Sequence, residues 1–107
     1  MNVPAEFNEI KDRYEKFLAA PFPMGHRSKM VGNRSLALVQ SELGGFILTY
    51  LQTSGSLGSR QRISMEQTVA DLKAAMSDFA EEGQTFFSEL VSISEMVLRS
   101  AHDQPSF

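Results

Sequence analysis

Residues 65–97 read MEQTVADLKAAMSDFAEEGQTFFSELVSISEMV. Within this stretch Met65, Val69, Leu72, Met76, Phe79, Gly83, Phe86, Leu90, Ile93 and Val97 recur at alternating intervals of four and three residues. Nine of the ten are apolar, and Gly83 is the one gap. That spacing is the seam of a helix packed against other helices. It predicts an all-α protein, an antiparallel helical bundle whose last helix spans residues 64–102. Two features favour an unbroken helix. The seam keeps its phase through residues 80–86, and Glu81 and Glu82 would be badly placed in the last turn of a helix ending at Gly83. The alternative is a four-helix bundle broken at Gly83, a residue suited to helix termination.

Working outward from the seam, Ser64-Met65-Glu66-Gln67 reads as a capping box that starts this helix. The preceding residues, 53–62, are TSGSLGSRQR, a polar turn. Before them, residues 35–52 form a second helix capped by Ser35. Its apolar positions cover about 200° of its circumference, and Glu42 is its only charged residue. Such a helix needs neighbours on at least two sides, which places it at the centre of the assembly. Gly44-Gly45 in its middle costs about 2 kcal/mol relative to alanine, which predicts the close approach of another helix there. The first helix spans about residues 4–20, with Phe7, Ile10, Tyr14, Phe17 and Leu18 as its apolar stripe, and Pro21-Phe22-Pro23 stops it. Residues 21–34 form a long irregular connection that Phe22, Met24, Met30 and Val31 can pin to the bundle.

At 107 residues the chain is read as one domain, 1–107, large enough to bury a core, with 42% hydrophobic residues and eight Phe. It has no Cys, which excludes disulfides and thiolate chemistry and fits a reducing, cytoplasmic setting. No apolar run is long enough to span a membrane, and the acidic first 20 residues do not read as a signal peptide. The tail from Asp103 onward is expected to fray.

Catalytic chemistry has little to work with. The two histidines, His26 and His102, lie far apart in sequence, and neither has a nucleophile and an orienting carboxylate in a recognisable pattern. No Glu-x-x-His pair and no calcium-loop spacing occur, so no metal and no cofactor are expected. The protein is therefore read as a non-enzymatic interaction or oligomerisation module of adaptor, chaperone-like or immunity-like type. After Gly83, a second apolar stripe beside the seam widens the buried arc to about 160°. An unbroken last helix would then present more apolar surface than two shorter helices can cover. Phe86, Phe87, Leu90, Val91 and Leu98 are accordingly the predicted contact with a partner, either a second copy forming a dimer or another protein. Phe22, Met24 and Met30 in the long connection are further candidates for partner contact.

The net charge of −3 is unevenly placed, with +4 over residues 26–62 and −6 over residues 63–107. Arg27, Lys29 and Arg34 in one loop, and Arg60 and Arg62 in another, could contact anions or nucleic acid. The second helix separates the two groups by about 27 Å, and the chain as a whole is acidic, so nucleic-acid association is the weaker alternative.

Overall fold

The computed structural model describes residues 3–103. Four helices, α1 (Phe7–Ala19), α2 (Leu36–Gln52), α3 (Ser59–Ala75) and α4 (Glu81–Ser100), run alternately up and down around one apolar core. Two minimal sheets close the ends. In the 20–35 connection, β1 (Met30–Val31) pairs antiparallel with β2 (Arg34–Ser35). At the other end, β3 (Ser56–Leu57) pairs in parallel with β4 (His102–Asp103).

The bundle is the four-helix form of the predicted fold, but the break is not at Gly83. It falls at residues 76–80, where a single 3-10 turn, Met76–Asp78, precedes an extended Phe79. The cause lies in Phe79. Its side chain turns inward and packs with ring centroids 5.7 Å from both Phe87 and His26. The Gln84 side chain donates to the Phe79 carbonyl at 3.0 Å, taking up an acceptor that a helix would have used. Ser77 and Asp78 are residues that favour turns over helix interiors. The seam keeps its phase because this short link returns the chain with its apolar face still toward the core: Val69, Leu72, Phe79, Leu90, Ile93 and Val97 are all buried.

The helix starts follow tertiary contacts as much as local pattern. Ser35 caps α2 as expected, its hydroxyl accepting from the Leu38 N–H at 3.2 Å. The start of α3 is corrected from Ser64 to Ser59. Gly58 is the N-cap, and its N–H donates to the Gln61 side chain at 2.8 Å. Arg62 then reaches across to the end of α4, donating to the carbonyls of Leu98 (2.6 Å) and Ala101 (3.0 Å). There it satisfies free acceptors and meets the negative end of the helix dipole. The sequence pattern placed α1 at about 4–20; it forms at Phe7–Ala19. The last helix ends at Ser100 rather than 102, and His102 and Asp103 are in β4. The rest of the tail lies outside the described residues.

Ion pairs fasten antiparallel neighbours. Arg13 on α1 binds Glu89 on α4 at 2.6 Å, and Arg99 on α4 binds Glu6 just ahead of α1 at 3.1 Å. Arg34 bridges Glu42 on α2 and Asp71 on α3. The close approach predicted at the glycine pair is found at one of the two. A Cβ on Gly44 would lie 2.6 Å from the Tyr14 hydroxyl of α1, whereas a Cβ on Gly45 would meet nothing within 4 Å.

Two outcomes are expected from this packing. Gly44→Ala should destabilise the fold by about 1 kcal/mol, because overpacking against Tyr14 exceeds the gain in helix propensity. Gly45→Ala should stabilise the folded chain by up to about 1 kcal/mol. Chemical denaturation of the two variants checks both. Burial also raises the pKa of the Tyr14 and Tyr50 hydroxyls above the usual 10.0. The folded state holds these protons more tightly than the unfolded chain. Stability should therefore be intact below pH 10 and decline as pH rises above it. Tyr14→Phe should make that decline shallower in denaturation curves taken on either side of pH 10.

Candidate interaction surfaces

The outer face of α2 is unlike that of the other helices. Leu38, Ser41, Gly45, Leu48 and Gln52 project away from the core, and all five are exposed. None is charged. By contrast, α1 exposes Glu9, Lys11, Asp12, Glu15 and Lys16, α3 exposes Arg60, Glu66, Asp71 and Lys73, and α4 exposes Glu81, Glu82 and Arg99. The one charge on α2, Glu42, is turned sideways to Arg34. Leu38 and Leu48 are 48% and 44% exposed, stand ten residues apart and are separated by about 15 Å along the axis. Between them lie the two small residues Ser41 and Gly45. The order Leu, three, Ser, four, Gly, three, Leu reads with the same spacing in both directions about Leu43.

A second surface lies where α1 ends and α4 begins. An open groove of about 1160 Å³ runs between the last turns of α1, the 20–25 segment and the first turns of α4. Phe17, Phe22 and Phe86 form its floor, with Phe17 and Phe86 centroids 4.5 Å apart and Phe22 and Phe86 5.7 Å apart. Pro21 and Pro23 help shape its wall. Met24 stands on the rim with 95% of its surface exposed. Glu81, Glu82 and Lys16 supply the rim charges, while Glu89 is held by Arg13.

The groove's wall is pinned by His26. The residue is 3% exposed, its Nδ1 is 3.0 Å from the Met24 carbonyl oxygen, and its Nε2 is buried with no hydrogen-bond partner among the described residues. A Cβ at Gly83 would collide with that Nε2. Gly83 therefore does not end a helix. It sits in the first turn of α4 and is small so that the His26 ring can lie against it.

Of the five partner contacts predicted in the last helix, three lie in the chain's own core and Phe86 lines the groove. Phe87 and Leu90 have no exposed surface and Val91 is 7% exposed; Phe86 and Leu98 are partly buried against the core. The reason is the break at 76–80. It lays α3 back along α4, so the chain covers its own apolar arc. Met30 is exposed near the start of α2, whereas Phe22 and Val31 pin the long connection as expected.

The five basic residues do not converge. Arg27 lies over the Phe22 ring at 4.9 Å, and Lys29 and Arg34 are at the same end of the bundle. Arg60 and Arg62 are at the other end of α2, with Arg62 turned into the α4 terminus. Among the described residues, no three His, Asp and Glu side chains gather as a metal site, and no helix is long and apolar enough to cross a membrane. The chain matches no family model, no curated protein and no solved structure.

The His26–Gly83 contact makes a checkable demand. Gly83→Ala should cost about 1–3 kcal/mol by overpacking. In a His26→Ala background the same change should cost at least about 1 kcal/mol less. A double-mutant cycle by chemical denaturation measures that coupling, and additive costs would show that the two residues do not constrain each other.

Proposed function

We propose that this protein is a non-catalytic helical association module whose first partner is a second copy of itself, joined through the outer face of α2. One observation carries the reading: an uncharged stripe on that face with the same residue spacing in both directions. A twofold interface requires a self-complementary surface, in which residue i meets j and j meets i. In an antiparallel pair crossing beside Leu43, Leu38 of each copy meets Leu48 of the other, and Ser41 meets Gly45. The small residues let the axes approach, and the leucines close the contact at both ends. No charge is desolvated. This also accounts for Gly45, where no neighbour within one copy lies within 4 Å of the place a Cβ would take.

The contact is a single helix pair, at the small end of specific interfaces, so the dimer should dissociate in the micromolar range, on the order of 1–100 µM. The siting of the two histidines, one buried and one exposed at the far end of the bundle, supports a non-enzymatic role.

Sedimentation equilibrium should show a monomer–dimer equilibrium. Leu38→Glu and Leu48→Glu should each shift it to monomer while leaving the circular dichroism spectrum unchanged. Leu18→Glu, at an exposed leucine on α1, should leave the dimer intact. The natural chain has no Cys, so cross-linking has no background. A mixture of Ser41→Cys and Gly45→Cys proteins should form a mixed disulfide faster than either forms one alone. A monomer at all concentrations up to several times this range, or faster cross-linking of Ser41→Cys with itself, would overturn the arrangement.

A further inference from the structure

The groove between α1 and α4 is unrelated to the α2 face and carries its own reading. We infer that it is a docking site for another protein, specifically for a short basic amphipathic helix with aromatic or leucine anchors. The floor of Phe17, Phe22 and Phe86 is continuous and reachable from outside, since only Phe17 of the three is fully counted in the core. The stretch of α4 along the groove, residues 81–89, is about two helical turns, or 12 Å. That length matches a helix presenting anchors at i, i+3 and i+4.

Charge selects the occupant. Glu81 and Glu82 are exposed at the rim and form no ion pair among the described residues. The remaining acid, Glu89, already holds Arg13. Lys16 is the one cation among the lining residues, and Arg27 is occupied over the Phe22 ring at 4.9 Å from its centroid. An incoming lysine or arginine therefore meets two available carboxylates, while an acidic peptide, a fatty-acid carboxylate or a phosphate backbone meets repulsion. A second copy of this chain is a poor fit. Its basic end offers Ile63 beside Arg60, but Arg62 is committed to the carbonyls of α4.

Met24 adapts the rim. Its unbranched, polarizable side chain is almost wholly exposed and can fold over an anchor of variable shape. The wall behind it is firm, because the buried His26 ring against Gly83 fixes the backbone on which Met24 and Gly25 stand. The groove thus joins an apolar aromatic floor, an exposed thioether and a negative edge, a combination suited to a cationic helix rather than to a small substrate.

The test uses the full-length, isotope-labelled chain and three probe peptides of about twelve residues. The first is a helix of Leu and Phe anchors at i, i+3, i+4 and i+7 with Lys elsewhere; the second replaces every Lys by Glu; the third keeps the Lys but scrambles the anchors. The lysine helix should give saturable amide shifts centred on Ala20, Gly25, Thr85 and Phe86. Its affinity should fall at least about fivefold between low and physiological ionic strength. The other two should give no saturable shift there. Glu81→Gln with Glu82→Gln should weaken binding at least about fivefold, and Met24→Ser should also weaken it; neither should alter the melting temperature by more than a few degrees. The Leu48→Glu protein should bind as the natural chain does, which separates this site from the α2 association. No saturable shift with the lysine helix, shifts centred elsewhere, equal binding of the glutamate helix, or groove shifts produced by protein concentration alone would each overturn the proposal. The last would assign the groove to a second copy.

Discussion

The inward turn of Phe79 is the constraint on which the arrangement of this chain depends. Without it, residues 59–100 would form one long rod with an apolar arc that α1 and α2 could not cover. With it, α3 returns along α4, and Phe87, Leu90 and Val91 become core residues. The Phe79 ring between Phe87 and His26 and the Gln84 side chain on its carbonyl hold the turn in place. Because the turn supplies a neighbour from within the chain, the apolar surface left open lies on the outer face of α2 and in the groove where α1 ends and α4 begins.

Two glycines show how backbone proximity shapes the molecule. Gly44 admits the Tyr14 hydroxyl and so sets the spacing of α1 and α2; Gly83 admits the His26 ring and so docks the long connection on α4. In both places the side chain that fills the space comes from a different element. The lost helix propensity is therefore offset by tertiary packing. Gly45 is the contrast. A Cβ there would meet nothing within 4 Å, and the residue lies in the middle of the one helix among the described residues whose outer face is uncharged.

Much of the fold was legible in the sequence because periodicity reports which side of a helix is buried. The bundle class, the extent of α2, the Ser35 cap and the packed role of Phe22 and Val31 all follow from local pattern. What periodicity does not report is where a chain reverses while staying in phase. The seam through Met76, Phe79 and Gly83 reads as one helix because the short link restores the same face to the core. The helix start at Ser59 was hidden for a related reason: its contacts, Arg62 on the α4 carbonyls above all, lie 36 and 39 residues away. On the surface, Met24 was visible as a candidate contact from its loop position. Leu38 and Leu48 are legible in the sequence only as apolar residues off the main stripe, because periodicity alone does not tell which apolar residues stay uncovered. The Ser77-Asp78 pair beside Phe79 was the available signal for the break, and the seam outweighed it.

Charge placement gives the last constraint on how such a molecule can associate. Arg13, Arg34, Arg62 and Arg99 each join two elements of the bundle, so most of the chain's arginine is spent on internal order. The acids are more numerous, and two that form no ion pair among the described residues, Glu81 and Glu82, stand together at the start of α4. A partner approaching α4 therefore meets a negative field and must carry positive charge. A partner approaching α2 meets no field and is selected by shape alone. The two faces differ in the physics by which they would discriminate. Association at α2 should be nearly indifferent to ionic strength, whereas association at the groove should weaken as salt screens Glu81 and Glu82. One small bundle can in this way hold two contacts that do not compete, because neither the surface chemistry nor the position of one overlaps the other.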